Sequence, residues 1–314
     1  MNKSCLIGFL MCSAFSLVVQ AATDGAHITK TISQIERKKG IKRTIQYRPD
    51  GNDFVCVNGK NRYTRALYGG ITDFRIETSD RPVFAAYKPK DSKHICFRLQ
   101  CGNQSIALDS LKFCEARYRA GRRTYRLTDP LLGKGELNIS VLAFPDAEGG
   151  IWRFTMKDMP EGALLHCYIS EIRAKNLSRN GDMGADRADS FDAPQLPKEQ
   201  KHYKLSLDGT TAYIVVEDQE LRLPALVEGT SLYDKSEKWR SEIESSLQIS
   251  TPDPYFNPLG GALAAAADGI WDGKIWLHGA IGWRSQLNGW RAAYIGDFIG
   301  WHDRARTHFD SYAA

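Results

Sequence analysis

Short stretches in which apolar and polar residues alternate recur from about Ile41 to Leu226. They include RTIQYR, DFVCVNG, HICFRLQ, ELNISVLAF and TAYIVVED, separated by turn-forming Gly, Pro, Asn and Asp. This period of two, at this spacing, is typical of antiparallel strands. Each strand then has one apolar face, which two packed sheets can bury. The pattern predicts a large antiparallel β-sandwich, and CEARYRAGRRTYRLTD predicts a hairpin with Ala120 and Gly121 at its tip.

The period changes near Gly229, where helical spacing replaces alternation. In SLYDKSEKWRSEIESSLQI, apolar residues recur at near-helical spacing among charges, so residues 230–250 are predicted to form a linker helix. Asn257 and Pro258 suit the start of a second helix, and Gly269 suits its end. The apolar stripe predicted for this second helix consists of Leu259, Ala262, Leu263, Ala266 and Ile270.

The last part of the chain is rich in both tryptophan and glycine. Of the seven tryptophans in the chain, this part holds Trp271, Trp276, Trp283, Trp290 and Trp301. Because glycine weakens helices, the stretch from Trp276 to Gly296 is predicted to be a structured loop with short helical pieces. A last helix is predicted to follow Asp297, with Asp297 as its N-cap. Its predicted apolar stripe consists of Phe298, Trp301, Ala305, Phe309 and Tyr312.

The N-terminus carries the features of a secretion signal. A lysine precedes the apolar run CLIGFLMCSAFSLVV, which is short for a membrane span. Val19 and Ala21 are small residues at the two positions that a signal peptidase reads. Residues 1–21 are therefore predicted to form a signal peptide that is removed after Ala21. The mature chain is expected to be periplasmic or secreted, with no membrane partner after cleavage.

Charge and cysteine content limit the binding partners and the disulfide bonds that this chain is expected to have. The formal net charge of +5 is small and the basic residues are scattered, which argues against a nucleic-acid partner. An odd number of cysteines follows Ala21, with no C-x-x-C pair, so buried thiols with one disulfide at most are expected. His302 and His308 are six residues apart, a poor fit to a helical metal pair, and no metal or cofactor is predicted.

The long polar stretch from Asn176 to Gln200 is expected to form a solvated flap or a loop over a cleft.

Several stretches resemble one known family. NRYTRALYGG, TPDPYFNPLGGALAAAADGIW, LHGAIGWRSQLNGWRAAYIGDFIGWHDRARTHF and RNGDMGADRADSFDAP are similar to sequences of the exported family catalogued as domain of unknown function 4450. The resemblance covers essentially the whole mature chain. It implies a β-sandwich joined to an (α/α) toroid of the six-hairpin glycosidase type. LNGWRAAYIGD is also similar to the LGWTGD stretch of α-L-rhamnosidases that have this toroid.

The resemblance divides the chain into three parts after the signal peptide. These are a β-sandwich over 22–229, the linker helix over 230–250 and the first helices of a toroid over 251–314. A six-hairpin toroid needs many more helices than residues 251–314 can form. The chain is therefore expected to be the N-terminal part of a larger enzyme and to be inactive alone.

One carboxylate is the candidate catalytic residue. Glycosidic hydrolysis uses two carboxyl groups that flank the scissile bond, one of them protonated. The likeness to rhamnosidases places Asp297 on a carboxylate at the active-site rim, with a helix cap as its alternative role. At the two further acidic positions of those enzymes, upstream of Asp297, this chain has Trp290 and Ser285, which cannot ionise. The second carboxylate is thus expected to come from elsewhere.

The candidate substrate-binding residues combine aromatic rings with hydrogen-bonding side chains. The apolar face of a sugar ring stacks on an aromatic ring, and the sugar hydroxyls bond to nearby polar side chains. Packing within the fold is the alternative role for the tryptophans. The candidates are Trp283, Arg284, Asn288, Trp290, Arg291, Trp301 and His302.

Three functional hypotheses follow. The first is an exported glycoside hydrolase-like protein that acts on an oligo- or polysaccharide without a cofactor. The second is a non-catalytic carbohydrate-binding β-sandwich module. The third is part of a polysaccharide lyase, which needs a Tyr or His base and an Arg or metal ion to neutralise a uronate.

Overall fold

The computed structural model describes residues 47–59, 63–88, 92–171, 202–279, 284–287 and 289–313. Within these residues, fifteen strands form two antiparallel sheets, and four α-helices follow them along the chain. The predicted β-sandwich followed by helices is confirmed, whereas its continuation into a toroid stays a prediction. The predicted signal peptide and the stretch from Asn176 to Gln200 lie outside the described residues. None of the described helices is long and apolar enough to cross a membrane.

The strands fill the region in which alternation predicted them. In chain order they are β1 (Arg48–Asp50), β2 (Asp53–Val57), β3 (Tyr63–Tyr68), β4 (Arg75–Ser79), β5 (Phe84–Tyr87), β6 (Lys93–Cys101), β7 (Gln104–Ala107), β8 (Phe113–Arg119), β9 (Arg122–Thr128), β10 (Glu136–Ala143), β11 (Gly149–Lys157), β12 (Leu164–Glu171), β13 (His202–Ser206), β14 (Thr211–Glu217) and β15 (Glu220–Arg222). The eight-stranded sheet has the order β1-β2-β8-β9-β10-β11-β14-β15. The seven-stranded sheet has the order β13-β12-β6-β5-β4-β3, with β7 paired to β6.

Alternate side chains of the strands meet between the two sheets. In β8 and β9, buried and less buried positions alternate without a break, as a period of two requires. Phe84 lies in this core, edge-to-face with Phe97, Tyr125 and Trp152 at centroid distances of 5.7, 5.5 and 5.6 Å. This geometry adds to the stabilisation from buried apolar area. The five described cysteines are free thiols, so no disulfide joins them.

The four helices are α1 (Leu226–Ser245), α2 (Leu259–Asp268), α3 (Gly289–Phe298) and α4 (His302–Asp310). Helix α1 corresponds to the linker helix predicted over 230–250, but it begins and ends earlier in the chain. It packs on the outer face of the eight-stranded sheet. Gly229 permits this close packing, because a Cβ there would lie 2.4 Å from the ring of Tyr213. The helix is therefore an outer layer of the sandwich.

The predicted stripe of α2 is wrong in part, although the helix ends before Gly269 as predicted. Leu263 is 54 % exposed, and the buried positions belong to glycine, alanines and Asp268. A Cβ on Gly260 would lie 2.7 Å from the carbonyl oxygen of Leu247. The helix turns its small residues inward because its backbone lies so close to the preceding segment.

Two predicted helix starts are also wrong. Pro258 occupies the N-cap position of α2, while the Asn257 side chain accepts a hydrogen bond of 2.8 Å from the backbone N–H of Thr251. Asp297 does not cap the last helix. It lies in the final turn of α3, and α4 begins at His302.

The glycines before Asp297 explain that second error. A Cβ on Gly296 would lie 2.5 Å from the indole ring of Trp276, so this glycine allows close helix packing instead of ending the helix. The stripe predicted around the last helix is only partly buried. Ala305 is buried and Trp301 is half-buried, whereas the remaining members are exposed: Phe298, Phe309 and Tyr312.

Candidate functional site

The predicted hairpin between β8 and β9 forms the contact between the sandwich and the helices. Ala120 and Gly121 have φ angles of 35° and 89°, the two positive values that a type I′ turn requires. The carbonyl of Ala120 accepts a hydrogen bond of 3.3 Å from Nη1 of Arg240 in α1. A Cβ on Gly261 of α2 would lie 3.1 Å from that of Ala120. The hairpin tip therefore lies between α1 and α2.

Five alternating charges connect the hairpin to α1, and we call them the charge ladder. Arg119 bonds Glu244 at 2.7 Å, and Glu244 bonds Arg240 at 2.8 Å. Arg240 also bonds Glu237 at 2.8 Å, and Glu237 bonds Arg122 at 2.7 Å. Arg240 is buried, but a glutamate on each side balances its charge. The ladder fixes α1 to both strands of the hairpin.

A cleft of about 290 Å³ opens next to this contact, between the edge of the sandwich and the two helices α1 and α2; we call it the junction cleft. Its ionisable lining side chains other than tyrosine are Arg240 and Asp268, and much of its remaining wall is alanine and aliphatic. Four aromatic side chains also line it: Phe54, Tyr68, Tyr118 and Trp239. Aromatic rings beside a few polar groups are typical of small-molecule sites.

Asp268 supplies the carboxyl group of the junction cleft. It is the last residue of α2, it is buried, and its Oδ1 accepts a hydrogen bond of 2.7 Å from Nη1 of Arg304 in α4. Burial raises the pKa of Asp268, and the hydrogen bond and charge of Arg304 only partly oppose that effect. A buried carboxyl with a raised pKa, beside a cleft, is a functional candidate.

Arg304 connects this carboxyl to the tryptophans of the terminal segment. Its guanidinium lies 4.3 Å from the ring centroid of Trp301 and 5.6 Å from that of Trp271. Trp301 was predicted to bind substrate. It does not line the junction cleft, but it packs on the arginine that holds Asp268 in position.

Asp297 and His302, also predicted from sequence, form an exposed pair. Their Oδ1 and Nδ1 atoms are 2.8 Å apart, and both side chains are about two thirds exposed. Neither residue lines the junction cleft. The structure thus separates the predicted catalytic carboxylate from the cleft, and its catalytic role stays a prediction.

Of the other predicted binding residues, the structure describes the side-chain contacts of Arg284 alone. Arg284 donates a hydrogen bond of 3.0 Å to the carbonyl of Thr72 and pairs with Asp73, so it connects the terminal segment to the sandwich. Trp290 and Arg291 belong to α3, but their side chains are not described. Trp283 and Asn288 lie outside the described residues. Their binding roles remain predictions.

Trp276 and His308 form the core beneath α3 and α4. Trp276 donates hydrogen bonds of 3.0 Å from its indole to the carbonyl of Ala267 and from its backbone to Nδ1 of His308. His308 is buried, and burial lowers its pKa. The ring of Trp271 packs on that of Trp276 at 4.6 Å. Among the described residues, no cluster of His, Cys, Asp and Glu could hold a metal ion.

The junction cleft was not found from the sequence. Neither Arg240 nor Asp268 was predicted as a site residue, because the partners that bury them come from distant parts of the chain. One local signal was present: Glu237 and Glu244 flank Arg240 at helical spacing, which is the pattern of a paired arginine.

The sandwich also matches a known family. Residues 89–217, which run from β6 to β14, match the model described as domain of unknown function (DUF4450). The predicted resemblance to this family is confirmed for that segment. A search of curated proteins gives no match. The family match ends before α1, so the likeness to six-hairpin glycosidases stays a prediction.

Proposed function

We propose that this chain, whose sandwich carries the domain of unknown function 4450, binds a saccharide in the junction cleft as part of a glycoside hydrolase-like protein of polysaccharide degradation. The proposal rests on the lining of the cleft, in which aromatic rings lie beside one carboxyl and one guanidinium group. A sugar ring has an apolar face that stacks on such rings and hydroxyls that bond to such polar groups.

The size of the cleft limits what it can hold. A cavity of about 290 Å³ is at the lower end for ligand pockets and suits about one sugar ring. Trp239 is half-buried in the wall, which leaves part of its ring available for stacking. We therefore assign the stacking contact to Trp239 and the polar contacts to Asp268 and Arg240. Export, which the N-terminal pattern predicts, is part of this proposal.

Fluorescence or calorimetric titration with a panel of neutral oligosaccharides tests the binding proposal. Trp239→Ala should weaken binding at least ~10-fold, because the stacking surface is lost while the helix remains. Tyr294→Ala is the matched control, since Tyr294 is an exposed aromatic residue of α3 outside the cleft lining. Equal affinity of wild type and Trp239→Ala, with both proteins folded, would refute the assignment.

A second candidate function, glycosidic hydrolysis, is favoured by the raised pKa of the Asp268 carboxyl group. A general acid must hold its proton near working pH, and burial raises the pKa of this carboxyl. Hydrolysis also needs a second carboxyl group, and the described lining of the cleft contains no other. In this alternative Asp268 is the acid and a carboxyl group outside the described lining of the cleft supplies its partner.

Reducing-sugar release separates the two functions. If the protein hydrolyses its ligand, Asp268→Asn should abolish turnover while binding persists, and Asp297→Asn should not. Loss of turnover in Asp297→Asn alone would favour the carboxylate predicted from sequence. Absorbance of a new double bond in the product would instead indicate the lyase reaction.

A further inference from the structure

The outer face of the eight-stranded sheet carries a second polar groove, of about 370 Å³, beside α1; we call it the arginine groove. Its floor crosses three strands in register. Thr124 of β9 pairs with Ser140 of β10, which pairs with Arg153 of β11. The neighbouring row contains Asn138 and Thr155. The other charged side chains that line the groove are Glu115, Arg117, Arg122 and Arg126.

Three of the four arginines in the groove already have carboxylate partners. Arg117 and Arg126 both pair with Glu115, at 2.8 and 3.4 Å. Outside the groove, Arg117 also pairs with Asp50 and Arg126 with Glu136. Arg122 pairs with Glu237 of the charge ladder. Their charges are thus largely balanced within the protein.

Arg153 differs from the other three. No ion pair to it occurs among the described residues; its guanidinium lies 3.8 Å from the ring centroid of Tyr233. The hydroxyl of Tyr233 is held in turn by Ser140, at 2.6 Å. Stacking uses the face of the guanidinium plane and leaves its N–H edges available. Arg153 is therefore a positioned cation whose donors lack a carboxylate.

We propose that the arginine groove binds the carboxylate of an acidic saccharide, with Arg153 as its anchor. The planar guanidinium matches a carboxylate in a bidentate arrangement. The hydroxyls of Thr124 and Thr155 have no hydrogen-bond partner in the described part of the chain, and they can bond to sugar hydroxyls. The carboxylate recognition rests on the groove alone, whereas the saccharide part rests on the proposed function.

The charge balance favours a ligand that places a single carboxylate in the groove, as one sugar of an oligo-uronate does. Arg153 has no ion pair in the described part of the chain, and Glu115 lies in the same groove, where it would repel a second negative charge. The groove supports binding and not elimination, because its described lining contains no histidine and the nearby tyrosine hydroxyls are buried in hydrogen bonds: that of Tyr125 donates to the carbonyl of Ser79, and that of Tyr233 bonds to Ser140. The groove is thus separate in chemistry as well as position from the junction cleft.

Calorimetry with trigalacturonate, galactotriose and sodium acetate tests the proposal. Trigalacturonate should bind the wild type, and Arg153→Met should weaken this binding at least ~10-fold, because charge-assisted hydrogen bonds are lost while the stem still packs on Tyr233. Arg98→Met removes the same charge from the other sheet and should leave the affinity unchanged. Arg153→Lys should give an intermediate loss, since it keeps the charge without the bidentate geometry.

The remaining outcomes show separately whether the carboxylate site, its saccharide part or the proposed function of the junction cleft fails. Absence of trigalacturonate binding to the wild type, or equal binding by folded Arg153→Met, overturns the site. Acetate binding as tight as that of trigalacturonate overturns the saccharide part. Trp239→Ala should leave trigalacturonate binding unchanged. If no neutral sugar binds but the Arg153-dependent binding persists, the proposed function of the junction cleft fails and the groove stands.

Discussion

The two faces of the eight-stranded sheet are covered in different ways. On the inner face, β8 to β11 place alternate apolar side chains such as Trp152 and Phe154 against the second sheet. On the outer face, the same strands present arginine, threonine and serine, and α1 covers part of that face through the charge ladder and through an apolar cluster around Tyr233. Apolar burial holds the inner face without directional requirements, whereas the attachment of α1 to the outer face also depends on charge and geometry. The inner face thus determines the fold, and the outer face determines where helices and ligands attach.

The largest expected effect comes from the core between this inner face and the seven-stranded sheet, which contains Phe84 of β5. Phe84→Ala removes the ring that meets three other aromatic rings in the core and should lower the free energy of unfolding by ~3–5 kcal/mol. Urea denaturation measures the loss. Val57→Ala is the control, because Val57 is 53 % exposed on the neighbouring sheet and should cost under ~0.5 kcal/mol. Similar losses in both variants would mean that the inner face is not the main source of stability.

A smaller loss is expected at the centre of the charge ladder. Arg240→Met keeps much of the side-chain volume but leaves Glu237 and Glu244 with one arginine each. We expect a loss of ~2 kcal/mol, below that of a fully buried pair, because both glutamates are partly exposed. Arg222→Met breaks exposed pairs only and should cost under ~0.5 kcal/mol. A neutral or stabilising Arg240→Met would show that the ladder specifies the position of α1 without stabilising it.

The inner face could be predicted from sequence, and the outer face could not. Alternation is a local property, so the strands and the hairpin at Ala120 and Gly121 followed from it directly. Arg240 is polar and becomes buried only because the hairpin tip, far away in sequence, lies against it. Asp268 does end α2, but its burial beside Arg304 depends on contact with another helix. Candidate-site residues of this kind depend on long-range contacts that periodicity does not encode.

The glycines of the C-terminal helices were interpreted wrongly from the sequence, because they were expected to break helices. Gly296 was predicted to interrupt a helix, yet it lies within α3, where it allows contact with Trp276. Glycine therefore has two physical roles, flexibility and close approach, that sequence alone does not separate. Trp271 and Trp276, which are not among the predicted binding residues, pack on each other as core residues.

Gly229→Ala tests close approach on the outer face. Alanine favours the helix by ~1 kcal/mol, but its Cβ would lie 2.4 Å from the ring of Tyr213, and such overpacking costs ~1–3 kcal/mol. We expect a net loss of ~1 kcal/mol in urea denaturation. Gly209→Ala is the control, because nothing lies within 4 Å of a Cβ at that position. A stabilised Gly229→Ala variant would mean that α1 can move away from the sheet at no cost.

The smallest expected effect is the pH dependence of the charge ladder. Burial acts to raise the pKa of Glu244, but hydrogen bonds from Arg119 and Arg240 outweigh it and hold that pKa below its ordinary value of 4.5. A lowered pKa in the folded state contributes stability above the unfolded-state value, and this contribution disappears as pH falls through the folded-state value. Glu244→Gln should therefore destabilise the protein by under ~1 kcal/mol at pH 7, and the difference from wild type should shrink below pH 4.5.

Glu242→Gln separates this effect from the loss of any negative charge on α1. Glu242 is exposed on the same helix and no ion pair to it occurs in the described ranges, so its variant should match the wild type at both pH values. A difference between wild type and Glu244→Gln that stays constant from pH 7 to pH 3 would contradict an ionised Glu244 in the ladder. In that case the contact between hairpin and helix would rest on packing, and the two faces of the sheet would be held by the same force.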